Sequence, residues 1–124
     1  MNQESPFKGQ TGLKRVWNAL FYSIDGLRAA YRGEAAFRQL SWMALVLVPL
    51  ALWLDVSRQE KALLIGSVLL SLIIELLNSA IEAAIDRISL ERHELSKRAK
   101  DMGSAAQLIG LVSIASVWSL ILLK

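Results

Sequence analysis

Three apolar stretches, each about as long as a bilayer is thick, decide what this chain can fold into. They are expected at 35–54, 62–85 and 104–123. Ser41 to Leu54, Ala62 to Ile74 and Ser104 to Leu123 carry no charge at all. About 20 helical residues, at about 1.5 Å each, cross a hydrocarbon core of about 30 Å. Lipid offers no partner to a bare backbone, so a span must satisfy its own N–H and C=O groups, and nothing here reads as a strand ladder. The expected fold is therefore an all-α membrane protein with three transmembrane helices. Apolar residues make up 54% of the 124 residues and the mean hydropathy is +0.41. That is high for a water-soluble domain of this size, so lipid is expected to complete the core. Pro49 falls inside the first stretch, where membrane helices tolerate it. Trp53 and Trp118 stand toward span ends, where indoles favour the interface.

Ahead of the spans, residues 11–32 read as an amphipathic surface helix. Leu13, Val16, Trp17, Leu20, Ile24 and Leu27 share one face, and Lys14, Arg15, Asn18, Asp25 and Arg28 lie elsewhere on the wheel. Such a helix lies in the membrane interface or packs on a soluble partner; the adjoining span favours the interface. Residues 1–14 hold Glu4, Pro6, Gly9 and Gly12 and no apolar run, so no cleaved leader is expected. Residues 1–124 are read as one domain. There is no cysteine, which excludes a disulfide framework and a thiolate nucleophile or metal ligand. The net charge of +3 does not gather into an aromatic-laced patch, so nucleic acid is not expected. Its distribution speaks instead to topology. Eleven of the 14 lysines and arginines fall before the first span, at its start (Arg38) or between the second and third; only Arg58, Lys61 and Lys124 fall on the other side. By the positive-inside rule the N-terminus and the long polar segment after the second span are cytoplasmic, and the C-terminus is periplasmic.

Acids inside a span are costly and are functional by default. Glu75, Asn78 and Glu82 fall within about 60° of one another on the second helix. Hydrogen bonds between helices need only Asn and Ser, so two carboxylates ask for more than adhesion. Glu82 lies near the polar segment, within reach of water, and carboxylates are the hard oxygen ligands that Mg²⁺ takes together with substrate phosphates. Glu75 lies about 10 Å deeper, at about 1.5 Å per residue, where a carboxylate suits proton abstraction from a lipid hydroxyl. The stripe thus fits an enzyme that joins a lipid to a soluble phosphate donor.

A second cluster, Lys97-Arg98-Ala99-Lys100-Asp101, precedes the third span. Its cations suit phosphate oxygens, with Asp101 expected to steady Lys100 or accept a hydrogen bond; equally, the run serves topology alone. Glu34 reads as an N-terminal helix acid and His93 as a surface residue. No G-x-x-x-x-G-K-[ST] or G-x-G-x-x-G segment is present, so any nucleotide is held by metal, cations and helix ends. A small proton-coupled transporter would use Glu75 but leaves Glu34, Lys100 and Asp101 without a task.

Gly26-Leu-Arg-Ala-Ala30, Glu34-Ala-Ala-Phe-Arg-Gln39, Trp53-Leu-Asp55, Glu75-Leu-Leu-Asn-Ser-Ala-Ile-Glu82 with Asp86-Arg87, His93-Glu-Leu-Ser96 and Arg98-Ala-Lys-Asp-Met-Gly-Ser-Ala-Ala106 follow one another along nearly the whole chain. Together they resemble the bacterial integral-membrane diacylglycerol kinase family. The resemblance implies transfer of the γ-phosphoryl group of MgATP to sn-1,2-diacylglycerol at the bacterial inner membrane, by a homotrimer whose sites are shared between subunits. It implies Glu75 as general base, Glu34 and Glu82 as metal and nucleotide ligands, and Arg15, Tyr22, Glu91, His93, Lys100 and Asp101 as ATP contacts. It also implies substrate contacts at Arg15, Ser23, Glu75, Asn78 and Ser104, with Trp53 and Trp118 lining the lipid site. Undecaprenol is the alternative acceptor, since related enzymes share the central block. Gln107 departs from the family pattern, which has an apolar residue there, and is expected to affect only local packing. The turn from Asp55 to Lys61 departs in detail too.

Overall fold

The structure, a computed structural model, describes residues 12–123. The expectations for residues 1–11, including Thr11 and Lys8, and for Lys124 lie outside them. Four helices follow in order: α1, Gly12–Gly33; α2, Ala35–Trp53; α3, Arg58–Ile88; and α4, Glu94–Leu122. Among the described residues there is no strand, and α2, α3 and α4 are long and apolar enough to cross a membrane. The chain is a multi-pass membrane protein.

Local chemistry sets each boundary. Glu34, in extended backbone, separates α1 from α2. Arg38 Nη1 reaches back to donate to the carbonyls of Tyr31 at 2.8 Å and Arg32 at 3.0 Å, acceptors that a helix end leaves without intrahelical partners. Pro49 sits inside α2 without ending it. At the far end of α2, Lys61 Nζ donates to the Leu52 carbonyl at 2.6 Å, placing a cation where the helix dipole favours one. α3 opens with a capping box: Ser57 Oγ accepts from the Glu60 N–H, and the Glu60 carboxylate accepts from the Ser57 N–H, each at 3.1 Å. His93 caps α4, its Nδ1 accepting from the Leu95 N–H at 3.1 Å.

One expectation is corrected. The polar segment between the second and third spans is not a long loop; only residues 89–93 are non-helical. The 31 residues of α3 extend about 46 Å and the 29 of α4 about 43 Å, at about 1.5 Å per residue. Both outrun a hydrocarbon core of about 30 Å. Their polar ends form a two-helix tip, joined by the Lys100–Asp86 pair, with Arg98–Glu94 and Lys97–Asp101 pairs one turn apart along α4.

α3 is central, with α2 and α4 packed on it, while α1 leans on α2. α4 meets α3 through Gly103, Gly110, Ile114 and Ile121, one face by their spacing. Small residues let the backbones approach, since helices in lipid associate by packing rather than by the hydrophobic effect. A Cβ on Gly110 would lie 3.0 Å from Ile74 Cδ1 and 2.8 Å from Gln107 Oε1. The apolar cluster of Ala51, Leu64 and Ile121, with Val117 and Trp118 against it, gathers where α2 and α4 end and α3 begins. The polar stripe of α3 lies toward the opposite end. The apolar face of α1, including Leu13, Val16 and Trp17, is left uncovered by the rest of the chain.

Candidate functional site

The stripe on α3 is longer than the sequence reading made it. Ser67, Ser71, Glu75, Asn78 and Glu82 succeed one another every three or four residues. Ser71 is fully buried and Glu75 is 6% exposed, both under α4. The residue that covers them is Gln107. Its Nε2 donates to Glu75 Oε2 at 2.9 Å and to the Ser71 carbonyl at 3.1 Å, while its Oε1 accepts from Ser71 Oγ at 3.0 Å. Both amide protons and the amide oxygen are thus engaged. Gln107 is therefore more than local packing: it ties α4 to the carboxylate in the middle of the stripe. The signal that could have found it is positional. Gly103, Gln107, Gly110 and Ile114 repeat on α4 the spacing of Ser71, Glu75, Asn78 and Glu82 on α3.

One turn closer to the tip, Asn78 Oδ1 is buried with no partner, as is Ser79 Oγ beside it. A buried acceptor left unpaired costs about 1–3 kcal/mol, so such groups ask for a ligand donor. Gly103 faces that amide: a Cβ there would run into Asn78 Oδ1 and lie 3.0 Å from its Cγ. Glu82 follows, half-buried.

At the tip, a cleft of about 660 Å³ is lined by residues that include Asp86, Glu91, His93, Lys97, Lys100 and Asp101. It brings together four of the expected ATP contacts. The expected pairing of Asp101 with Lys100 does not form. Neighbours in a helix point about 100° apart, so Asp101 instead meets Lys97, one turn away, at 2.7 Å. Lys100 reaches across to Asp86 on α3 at 3.0 Å. The hydrogen bond to Asp101, reinforced by its charge, holds the exposed Lys97 ammonium above the ordinary lysine range.

Another cavity, of about 560 Å³, lies between α1 and α3 beside the α1–α2 junction, with Ser23, Glu34 and Ser79 in its wall. Ser23 Oγ donates to the Ala19 carbonyl at 2.9 Å. This cavity and the tip cleft share no residue. Arg15, Tyr22, Ser104 and Trp53 are exposed. Trp118 is half-buried against the apolar cluster, its Nε1 donating to the Leu64 carbonyl at 3.2 Å. Among the described residues no group of three or more His, Asp or Glu gathers to hold a metal. Glu34 and Glu82 are each half-buried and offer the hard carboxylate oxygens that Mg²⁺ takes, two of them sufficing when phosphate oxygens complete the shell.

Residues 21–122 match the family model for prokaryotic diacylglycerol kinase. The chain is 66% identical over 119 residues to a diacylglycerol kinase of Pseudomonas aeruginosa, covering 96% of this chain and 97% of that one. To the diacylglycerol kinase of Escherichia coli it is 54% identical over 112 residues, 90% of this chain and 92% of the other. To that of Haemophilus influenzae the figures are 48% over 112 residues, 90% and 95%.

Proposed function

The chain belongs to the prokaryotic diacylglycerol kinase family, and on that premise we propose how its residues divide the work. It is an enzyme: a nucleotide-dependent kinase that phosphorylates sn-1,2-diacylglycerol to phosphatidic acid within a membrane. The observation that carries the division of labour is the depth sequence along α3, with Glu75 buried under α4, Asn78 unpartnered above it, and a cleft of mixed charge that includes Lys97 and Lys100 at the tip.

Glu75 is the general base. It takes the proton from the lipid hydroxyl as that oxygen bonds to the γ-phosphorus of ATP. The bond from phosphorus to the β–γ bridging oxygen breaks, and its electron pair leaves with ADP. Glu34 and Glu82 hold Mg²⁺, which when bound supplies charge neutralisation at the phosphate oxygens. Glu91, His93, Lys100 and Asp101 line the nucleotide cleft, with Arg15 and Tyr22 of α1 completing it. Lys100 exchanges Asp86 for phosphate. Asn78 contacts the reacting groups with Ser23 and Ser104, and Trp53 and Trp118 bound the lipid site. A homotrimer with sites completed between neighbours is the assembly that the family resemblance implies. The charge asymmetry supports an inner-membrane protein with a cytoplasmic N-terminus and tip and a periplasmic C-terminus. α1 lies in the interface, its uncovered apolar face in lipid.

The test is a lipid phosphorylation assay in mixed micelles with γ-labelled ATP, Mg²⁺ and either diacylglycerol or undecaprenol. Label is expected in phosphatidic acid and is expected to vanish in a folded Glu75→Gln protein. Full turnover in that variant would remove Glu75 as the base. Label mainly in undecaprenyl phosphate would change the acceptor.

A further inference from the structure

Gln107 lies on a different helix from the proposed base, yet it makes three hydrogen bonds at the centre of the stripe. An amide inside a span is expensive to bury, and packing α4 on α3 does not require one: Gly103, Gly110 and Ile114 already do that with small and aliphatic groups. The amide is also fixed at both ends. Ser71 Oγ–H, fully buried, holds its oxygen; the Ser71 carbonyl takes one of its protons; the other proton goes to Glu75 Oε2. The carboxylate is the only acid that Gln107 touches, and it is 6% exposed. With Oε2 held by an amide proton, Oε1 is the oxygen left to accept a proton from the substrate, and the plane of the carboxylate is set by α4 rather than by its own rotamer.

We infer that Gln107 is a positioning residue of the phosphoryl-transfer reaction: held by Ser71, it orients the Glu75 carboxylate so that one oxygen faces the lipid hydroxyl. This rests on the reading of Glu75 as the base. Gln107 does not touch substrate, so its removal changes turnover and leaves the nucleotide cleft alone. A hydrogen bond to a charged group carries about one to two decades in rate when it is lost from the reacting arrangement. Ser71 acts only through Gln107, so its effect depends on the amide being there.

The experiment compares Gln107→Met, which keeps the length of the side chain and removes both donors and the acceptor, with Ser71→Ala and the double variant. Kcat, KM for ATP and thermal unfolding are measured in the same micelles, with Glu75→Gln as reference. The expected result is a tenfold to hundredfold fall in kcat for Gln107→Met at unchanged KM for ATP, a smaller fall for Ser71→Ala, and no further fall when the two are combined. Because the fall is read per folded, ATP-binding protein, a loss of stability alone does not produce it. Gln107→Glu, which keeps the length but brings a second acid to Glu75, is expected to fail as a rescue. Wild-type kcat in Gln107→Met beside a dead Glu75→Gln overturns the positioning role and leaves the base. Effects of Ser71→Ala and Gln107→Met that multiply independently overturn the link between them. Full turnover in Glu75→Gln overturns the base reading and this inference with it.

Discussion

Alanine at Gly103 is the sharpest test of how α3 and α4 meet. A methyl group there runs into the Asn78 amide oxygen, with the amide carbon at 3.0 Å and Asn78 Cβ at 3.7 Å behind it. Two effects oppose each other. Replacing glycine within a helix stabilises by about 0.5–1 kcal/mol. Forcing a methyl into a filled contact costs about 1–3 kcal/mol. The amide oxygen has no partner to lose, so the cost is steric alone. Gly66, a helical glycine of α3, supplies the reference, since a Cβ there meets nothing within 4 Å in the chain. The helix term cancels between Gly103→Ala and Gly66→Ala. The two proteins should then differ by the packing cost, about 1–3 kcal/mol in favour of Gly66→Ala. Equilibrium unfolding in micelles, followed by tryptophan fluorescence, measures the difference. Turnover should fall in Gly103→Ala alone, because Asn78 must rotate away from the stripe. Equal stability and equal turnover in the two variants would refute the close approach of Gly103 to Asn78.

Three other outcomes are expected. Ser57→Ala breaks the capping box of α3 and should lower stability by about 0.5–2 kcal/mol without changing kcat, as unfolding and activity measured together will show. Gly110→Ala pushes on the far ends of Gln107 and Ile74, which can give way. Stability should change by no more than about 1 kcal/mol, while turnover drops toward that of Gln107→Met in a steady-state assay. Asp86→Asn releases Lys100 from a half-exposed ion pair. Stability should move by less than about 1 kcal/mol, and KM for ATP should fall as Lys100 becomes available to phosphate.

The spans were legible because lipid leaves a backbone so few choices: a predominantly apolar run of membrane length is a helix whatever its neighbours do. The Glu75–Asn78–Glu82 stripe was legible for a similar reason, since its spacing is a property of one helix. What the sequence hid depends on pairs of helices or on solvent. Polarity after Ile85 marks the exit from lipid and not the end of the helix; α3 runs on to Ile88, and α4 starts as early as Glu94 because its i, i+4 ion pairs support a helix in water. The partner of Lys100 lies 14 residues away on α3, beyond the reach of any local pattern. Gln107 was noticed only as a departure, because its meaning requires knowing which face of α4 turns toward Glu75.

The unbroken run of α3 has a consequence for how the protein meets membranes of different thickness. Glu75 and Asp86 stand on one unbroken helix, so their separation is set by peptide geometry at about 16 Å and not by a loop that can stretch. A thinner bilayer moves the water boundary down this ruler without changing its marks. The height of the tip cleft, the proposed nucleotide site, above Glu75 stays constant, while the depth at which the lipid glycerol floats does not. On the proposed division of labour, bilayer thickness therefore acts on the alignment of the acceptor lipid, and not on the grip on ATP.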